Sequence, residues 1–183
     1  KAMLLICLKK KTLLSITTAA QKLRNGESNM EKMEISQEGL ALIKRFEGCS
    51  LTSYLCQANV PTIGFGSTRG VEMGMEISQE RADALLLEDV ADFEEAVNEC
   101  VKVPLTQNQF DSIVAWCFNI GENAMRNSTL LKVLNNSEYQ KVPSEMKRWN
   151  KVTVNGEKVV SDGLMRRREA ESLLFKDEPW HEV

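Results

Sequence analysis

Histidine is almost absent from this sequence of 183 residues: the single one, His181, lies near the end. Structural zinc sites and cysteine nucleophiles activated by histidine both need an imidazole that the fold holds in place. One histidine close to a chain end, where order is usually lowest, does not supply such a group. We therefore expect no metal site and no histidine-activated thiol, and nothing in the sequence calls for another cofactor.

Long hydrophobic runs are also missing. The apolar runs at residues 2–8 and 12–20 are both shorter than the roughly 20 residues that cross a bilayer. The lysines at 9–11 separate them, and each would cost about 2.5–3.5 kcal/mol at the bilayer centre. A stable transmembrane helix is therefore not predicted.

The same region has two alternative interpretations. Its basic run, short apolar segment and small residues at 18–20 fit a weak export or membrane-release signal, and a disordered leader fits as well. The polar stretch from 21 to 32 is typical of a linker. We predict that residues 1–33 form a leader and that residues 34–183 form the globular domain.

Neither sign of charge dominates the composition. With 23 basic and 26 acidic residues the formal net charge is −3, which gives no argument for a nucleic-acid partner. The hydrophobic fraction of 43% and the charged fraction of 27% are ordinary for a globular protein. We expect a monomer that binds no nucleic acid.

Five cysteines are present, an odd number that permits two disulfides and one free thiol, or an exchanging set. They are Cys7, Cys49, Cys56, Cys100 and Cys117. Cys100 and Cys117 fall on the apolar faces of predicted helices, so we expect both to be buried thiols.

Periodicity predicts the secondary structure. Ser36 as the N-cap and Gly48 as the C-terminal stop bound a helix over 36–47, which places Glu47 on its last turn. Recurring glycines predict two or three short antiparallel strands within 49–75. Asn155-Gly156 predicts a β-hairpin. Further helices are predicted at 79–99, from Thr106 to Gly121, from Ser128, at 138–149 and at 164–175. The fold class is therefore α+β: mostly helical, with a small antiparallel sheet early and a hairpin late.

Three residue types that suit glycoside hydrolysis follow one another at fixed spacing. Eight residues separate Glu47 from Cys56, and five separate Cys56 from Thr62. This pattern is similar to that of the phage-type lysozymes, the endolysin muramidases of glycoside hydrolase family 24 type, which carry aspartate or cysteine at the middle position. Further blocks that resemble the family lie at 62–68, 104–111, 118–121, 128–131 and 163–168.

The resemblance covers residues 34–175 and implies a lysozyme-like fold and an activity. The family hydrolyses the β-1,4 bond between N-acetylmuramic acid and N-acetylglucosamine in bacterial peptidoglycan during host-cell lysis. Its members are made in the bacterial cytoplasm and act in the periplasm and cell wall. By this resemblance we expect peptidoglycan as the partner, with the leader directing export or transient membrane tethering.

The resemblance also implies roles for the three residues. Glu47 is expected to act as the general acid, while Cys56 and Thr62 hold the attacking water. An ordinary thiol has a pKa of about 8.5, and a nearby carboxylate would raise it further. We therefore expect Cys56 to orient water more than to stabilise charge.

Other site residues are carried over in the same way. An arginine in the last helix orients the acid in the family, and Arg167 is the candidate, with Arg166 and Arg168 as alternatives. The family also implies a saccharide groove, for which Phe118 has the alternative of belonging to the core. The expected groove residues are Gly66, Phe118, Asn119 and Ser128.

A subset of endolysins with a signal-anchor-release leader suggests a disulfide switch. By that resemblance, a Cys49–Cys56 disulfide is the inactive pairing, and exchange to Cys7–Cys49 frees the catalytic cysteine. The alternative is that Cys7 and Cys49 are unpaired and Cys56 is always free.

Three other functions compete with this interpretation. A binding module that kept the groove but lost turnover is disfavoured by the intact Glu47. A thiol enzyme using Cys56 would need a nearby histidine. A chitinase-like activity on related glycans would be a variant of the muramidase function described above.

Overall fold

Seven α-helices and two small antiparallel sheets make up the part of the chain that the computed structural model describes, residues 31–56 and 58–183. The elements are α1 (Gln37–Glu47), β1 (Ser50–Leu55), β2 (Pro61–Gly64), α2 (Gln79–Cys100), α3 (Gln107–Ile120), α4 (Glu122–Arg126), α5 (Thr129–Asn135), a 3-10 helix (Tyr139–Lys141), α6 (Val142–Lys147), β3 (Lys151–Val154), β4 (Glu157–Val160) and α7 (Asp162–Phe175). This architecture confirms the predicted α+β fold.

Met33–Val183 form one compact unit. The predicted leader, including Cys7, lies outside the described residues apart from its last few, so the division at residue 33 stays a prediction. No helix of the described residues is both long and apolar enough to span a membrane.

Helix α1 begins and ends where its sequence predicts. The Ser36 side chain accepts a hydrogen bond from the backbone N–H of Glu38 at 3.2 Å. Gly48 has a φ of 70°, which favours glycine, and its N–H donates to the Lys44 carbonyl. Glu47 is thereby the last residue of the helix, directly before the turn into β1.

Helix α3 is the central helix of the domain. Residues 110–117 are buried without interruption, and the helix packs against α1, α2 and α7. A capping box at its start joins Thr106 to Gln109: each side chain bonds the other's backbone N–H. A helix buried on all sides provides a fixed support for the helices that carry site residues.

The contact between α1 and α3 is unusually close. A Cβ added to Gly39 would lie 2.8 Å from the Cβ of Asp111 and 2.5 Å from Ile35. Asp111 is fully buried, and it accepts hydrogen bonds from the Ser36 backbone at 2.9 Å and from Gln107 Nε2 at 2.8 Å. This buried carboxylate and the missing side chain at position 39 fix the N-terminal end of the helix that carries Glu47.

The first sheet is a two-stranded hairpin in which Tyr54 lies opposite Thr62. In its turn the backbone N–H of Cys56 donates to the Val60 carbonyl at 3.1 Å, and Asn59 has a φ of 60°. Asparagine tolerates this left-handed conformation. The turn therefore brings Cys56 next to the start of β2.

The second hairpin, β3–β4, has the predicted Asn155-Gly156 turn. Both residues have positive φ values, 50° and 85°, as a type I′ turn requires. All eight strand residues are exposed on both faces, so this hairpin projects from the domain.

Two helical segments differ in detail from their prediction. The segment at 138–149 is divided into the 3-10 helix and α6, since Pro143 in the first turn of α6 has no N–H to continue a preceding helix. Helix α4 was not predicted, because five residues are too few to show a periodic pattern.

Gly39→Ala is expected to lower the free energy of unfolding by about 1–3 kcal/mol, because its methyl group overlaps Asp111 and Ile35. Alanine is otherwise the better helix former by about 1 kcal/mol. Gly163→Ala in α7 is the matched control: the nearest atom is 3.8 Å away, so stability should be unchanged or rise by up to about 1 kcal/mol. Urea unfolding measures both, and equal effects would contradict the proposed packing.

Candidate active site

An ion pair joins the end of α1 to α7. Arg167 Nη1 donates to Glu47 Oε1 at 2.5 Å, with the arginine side chain 4% exposed and the glutamate side chain 24% exposed. No other hydrogen bond or ion pair of the described residues reaches the second oxygen, Oε2. The guanidinium group thus holds the carboxyl group from one side, through Oε1.

Arg167 is itself held at several points. Its Nε donates to Glu171 Oε1 at 3.1 Å and its Nη2 donates to the Ala115 carbonyl at 3.4 Å. The guanidinium carbon lies 6.0 Å from the centroid of the Phe46 ring, within the range of a cation–π contact. These contacts leave the buried side chain little freedom, so the position of Glu47 is defined by the core.

The two arginines next to Arg167 in α7 have different surroundings. Arg168 is fully buried and donates from Nη2 to Asn119 Oδ1 at 2.6 Å. Arg166 is exposed and lines a cleft. Of the three arginines considered from the sequence, the structure brings Arg167 to Glu47.

Glu47 borders a cleft of about 430 Å³ on one side. Three of the four predicted groove residues line it with Glu47, and Phe118 also packs edge-on against Phe93, with ring centroids 5.2 Å apart. Phe118 therefore belongs to both the groove and the packed interior. The rest of the lining is Phe65, Phe93 and four polar or charged residues: Thr68, Arg69, Asp89 and Asp92.

A second cleft, of about 970 Å³, borders Glu47 on the side of the projecting hairpin. It is lined by Arg45, Val152 and Arg166 among others. Glu47 thus lies where two clefts meet. This arrangement suits a polymer that extends on both sides of the bond being cleaved.

Ser128, the fourth predicted groove residue, is not among the residues that line either cleft at Glu47. It is 3% exposed, and its hydroxyl accepts a hydrogen bond from the Leu131 backbone N–H at 3.0 Å. This is the N-cap of α5, which accounts for a serine at that position. A contact between Ser128 and substrate stays a prediction.

Cys56 and Thr62 lie together at the first hairpin. Thr62 is 3% exposed and its hydroxyl donates to the Val60 carbonyl at 2.9 Å. Hydrogen bonds from the backbone of Val60 and Ala58, and a smaller contribution from the Thr62 hydroxyl, lower the pKa of Cys56. The expectation of a raised pKa is therefore wrong, because the polar groups of the turn, rather than a carboxylate, surround the sulfur.

The two halves of the site come from different elements. In the described part of the chain no hydrogen bond or ion pair connects Glu47 to Cys56 or Thr62. The acid stands at the end of α1, and the other two residues stand on the hairpin that follows it. A substrate and a water molecule would occupy the space between such groups in an inverting glycosidase.

Cys49 and Cys56 are both free and lie just outside the two ends of β1. Seven residue steps of extended chain span about 23 Å. A disulfide requires Cα atoms about 4.4–6.8 Å apart. A bond between these cysteines therefore requires β1 to refold, and the predicted pairing stays a prediction.

The remaining described cysteines differ in burial. Cys117 is fully buried, as expected, and burial raises its pKa to about 12. Cys100 is only half-buried and accepts a hydrogen bond from Arg126 Nη1 at 2.8 Å, although burial still raises its pKa. Across residues 31–56 and 58–183, no cluster of three potential metal ligands occurs.

Sequence reasoning missed Glu171, and it considered Arg168 only as an alternative partner of Glu47. Glu171 follows Arg167 by four positions, a spacing that places both on one helix face. That spacing is a usable signal, but it occurs on many solvated helices. Only the packing of α7 against α3 shows that these charges are buried.

A carboxylic acid held by a buried arginine between two clefts, on a mostly helical domain with a small sheet, defines a glycoside hydrolase of lysozyme type. The family model described as Phage lysozyme matches residues 44–171, and the chain belongs to this family.

Relatives support the assignment over most of the chain. The endolysin of Acyrthosiphon pisum secondary endosymbiont phage 1 is 46% identical over 79% of this chain and 99% of its own length. The structure of the endolysin from Escherichia coli O157:H7 phage FAHEc1 is 44% identical, covers 81% of this chain and 98% of its own, and has a TM-score of 0.77. The SAR-endolysin of Pseudomonas phage phiKMV is 39% identical over 72% of this chain and 82% of its own.

The lowered pKa of Cys56 predicts its reactivity. Alkylation of Cys56 should reach half its maximal rate at a lower pH than that of an ordinary thiol, since the thiolate is the nucleophile. Thr62→Val removes one hydrogen-bond donor and should move this midpoint to higher pH. Mass mapping of each alkylated peptide separates the sites, with Cys117 as the unreactive control. A midpoint at Cys56 that equals or exceeds the ordinary value would contradict the described turn.

Proposed function

We propose that this chain hydrolyses the β-1,4 bond between N-acetylmuramic acid and N-acetylglucosamine by inversion, with Glu47 as the general acid. As a member of the phage lysozyme family, it is a peptidoglycan-hydrolysing endolysin, a muramidase that acts in host-cell lysis. The observation that carries the proposal is the Glu47–Arg167 pair at the junction of two clefts.

The acid step uses the free oxygen of Glu47. Arg167 bonds Oε1, so a proton carried on Oε2 points away from the guanidinium group and can pass to the leaving glycosidic oxygen. Protonation of that oxygen lets the bond break as positive charge grows on the sugar ring. The buried arginine keeps the carboxyl group in one orientation while this occurs.

Two residues of the first hairpin orient the attacking water. The single hydroxyl hydrogen of Thr62 points to the Val60 carbonyl when Cys56 is a neutral thiol and can rotate to the sulfur when Cys56 is a thiolate. In either case the oxygen lone pairs can accept a hydrogen bond from water. Cys56 beside it has a lowered pKa, so a larger fraction of it than of an ordinary thiol is thiolate at neutral pH, and the thiolate can accept a hydrogen bond from the water. Together the two groups orient water toward the face of the sugar opposite the acid.

We assign saccharide binding to residues that line the smaller cleft. Gly66, Phe118 and Asn119 line the smaller cleft with Glu47, and they offer backbone, an aromatic ring and an amide to a saccharide. Acid, arginine and cleft all come from a single chain, which supports our proposal that the enzyme acts as a monomer.

Glu47→Gln keeps the shape of the acid but removes its proton, and it should lower the rate of peptidoglycan clearing by about 10²- to 10⁴-fold. Glu38→Gln is the matched control, since this acid lies on the first turn of the same helix, away from the clefts. Loss of turbidity of a peptidoglycan suspension measures both variants. A Glu47→Gln enzyme within tenfold of wild type would contradict the proposed acid.

The site of action follows from the same proposal. The enzyme is made in the host cytoplasm and acts on the cell wall, with residues 1–33 directing export or transient membrane tethering. The relation to the SAR-endolysin of phage phiKMV supports this placement.

A disulfide switch accompanies that leader in our proposal. In the inactive form Cys49 bonds Cys56, which removes the thiol and forces β1 out of its hairpin pairing with β2. Exchange with Cys7 then gives a Cys7–Cys49 bond and restores the free thiol that the structure shows at position 56.

Mild oxidation should therefore inactivate the full chain, and a thiol reductant should restore its activity. Non-reducing peptide mapping of the inactive sample should show Cys49 linked to Cys56. Cys49→Ser is the control, because it retains Cys56 but cannot form the bond. Activity that is insensitive to oxidant in the wild type, or equally sensitive in Cys49→Ser, would rule out the switch.

A further inference from the structure

Glu171 is a fully buried carboxylate on α7 with a guanidinium group on either side. Arg167 Nε donates to its Oε1 at 3.1 Å. Arg168 Nε lies 3.2 Å from its Oε2. Neither atom of the second pair makes a hydrogen bond, so that contact is an ion pair at close distance without good alignment. Glu171 therefore lies at the centre of a buried charge cluster.

The far ends of both arginines contact residues that line the same cleft. Arg167 Nη1 bonds Glu47, and Arg168 Nη2 bonds the side-chain oxygen of Asn119 at 2.6 Å. Glu47 and Asn119 both line the 430 Å³ cleft. A continuous set of contacts thus runs from the acid into the core, through Glu171, and back to a second cleft residue.

The charges in this cluster depend on one another. Burial raises the pKa of Glu171 and lowers that of Arg168, while the charge of each group opposes the shift of the other. Two arginines face two carboxylates, so the charges balance when all four groups are ionised, and one positive charge is left over when Glu47 carries the proton of a general acid. Without Glu171, Arg167 would have Glu47 as its only carboxylate partner among these groups.

We propose that Glu171 is a positioning residue for the hydrolysis: it orients Arg167 toward the acid Glu47 and Arg168 toward Asn119, and it shares the charge of Arg167. This inference rests on the proposed function of Glu47. The sharing of the Arg167 charge matters because a guanidinium group that paired with Glu47 alone would stabilise the ionised form of this carboxyl group. A general acid, by contrast, must carry its proton. Glu171 touches neither substrate nor water and acts through the arginines.

Glu171→Gln tests the proposal, since it keeps the size of the side chain and removes its charge. With soluble glycan strands of peptidoglycan as substrate, kcat should fall on the order of 10- to 100-fold and KM should rise, because both cleft groups lose their support. The alkaline limb of the pH–rate profile should move to lower pH, because the acid loses its proton more readily. A purely structural role would lower the melting temperature without moving that limb.

The matched control is Glu169→Gln. This residue is on the same helix and is also ion-paired, with Lys147 at 2.6 Å, but it does not line either cleft at Glu47. Its kcat, KM and pH profile should equal those of the wild type. Glu47→Gln, measured in parallel, shows separately whether the proposed acid is correct.

A folded Glu171→Gln variant with unchanged kcat and an unchanged alkaline limb would overturn the proposal, even with an inactive Glu47→Gln. If Glu171→Gln does not fold, Glu171→Asp provides the second test. It keeps the buried charge but is one methylene shorter, so it cannot hold both arginines, and its kcat should fall to a similar extent. Full activity of a folded Glu171→Asp variant would also overturn the proposal.

Discussion

The position of one buried side chain, Arg167, determines the geometry of the acid half of the site. It contacts Glu47 at the end of α1, Glu171 on its own helix and the Ala115 carbonyl on α3. Three helices therefore have to pack correctly before the acid is oriented. Removing one partner of a buried ion pair typically costs about 3–5 kcal/mol, so this arrangement ties the stability of the core to the chemistry of the cleft.

The other half of the site depends on a two-stranded sheet in which β2 is largely buried and β1 is mostly exposed. Cys56 and Thr62 are held by backbone hydrogen bonds of the turn between β1 and β2 and by strand pairing. A two-stranded hairpin is marginally stable by itself. The half that carries the acid is thus fixed by packing, whereas β1, the strand between the two cysteines, is exposed at most of its positions. A covalent switch at Cys49 and Cys56 would act on the part of the domain best able to change.

Local features of this fold could be predicted from the sequence, and the contacts between distant elements could not. Ser36 and Gly48 mark the ends of α1 by capping chemistry that involves only neighbouring residues. The three consecutive arginines of α7 differ by about 100° in direction around the helix, so a choice among them requires knowledge of what packs on each side. The lowered pKa of Cys56 was missed for the same reason, since it depends on the turn geometry at Val60.

The central claim is that Glu47 drives hydrolysis of the bond on the C1 side of N-acetylmuramic acid. Complete digestion of purified peptidoglycan, followed by borohydride reduction and sugar analysis, tests it most directly. The account predicts that the new reducing ends are muramic acid, recovered as its reduced alcohol, and that Glu47→Gln releases none. New reducing ends of glucosamine, or cleavage that yields no new reducing sugar, would contradict it.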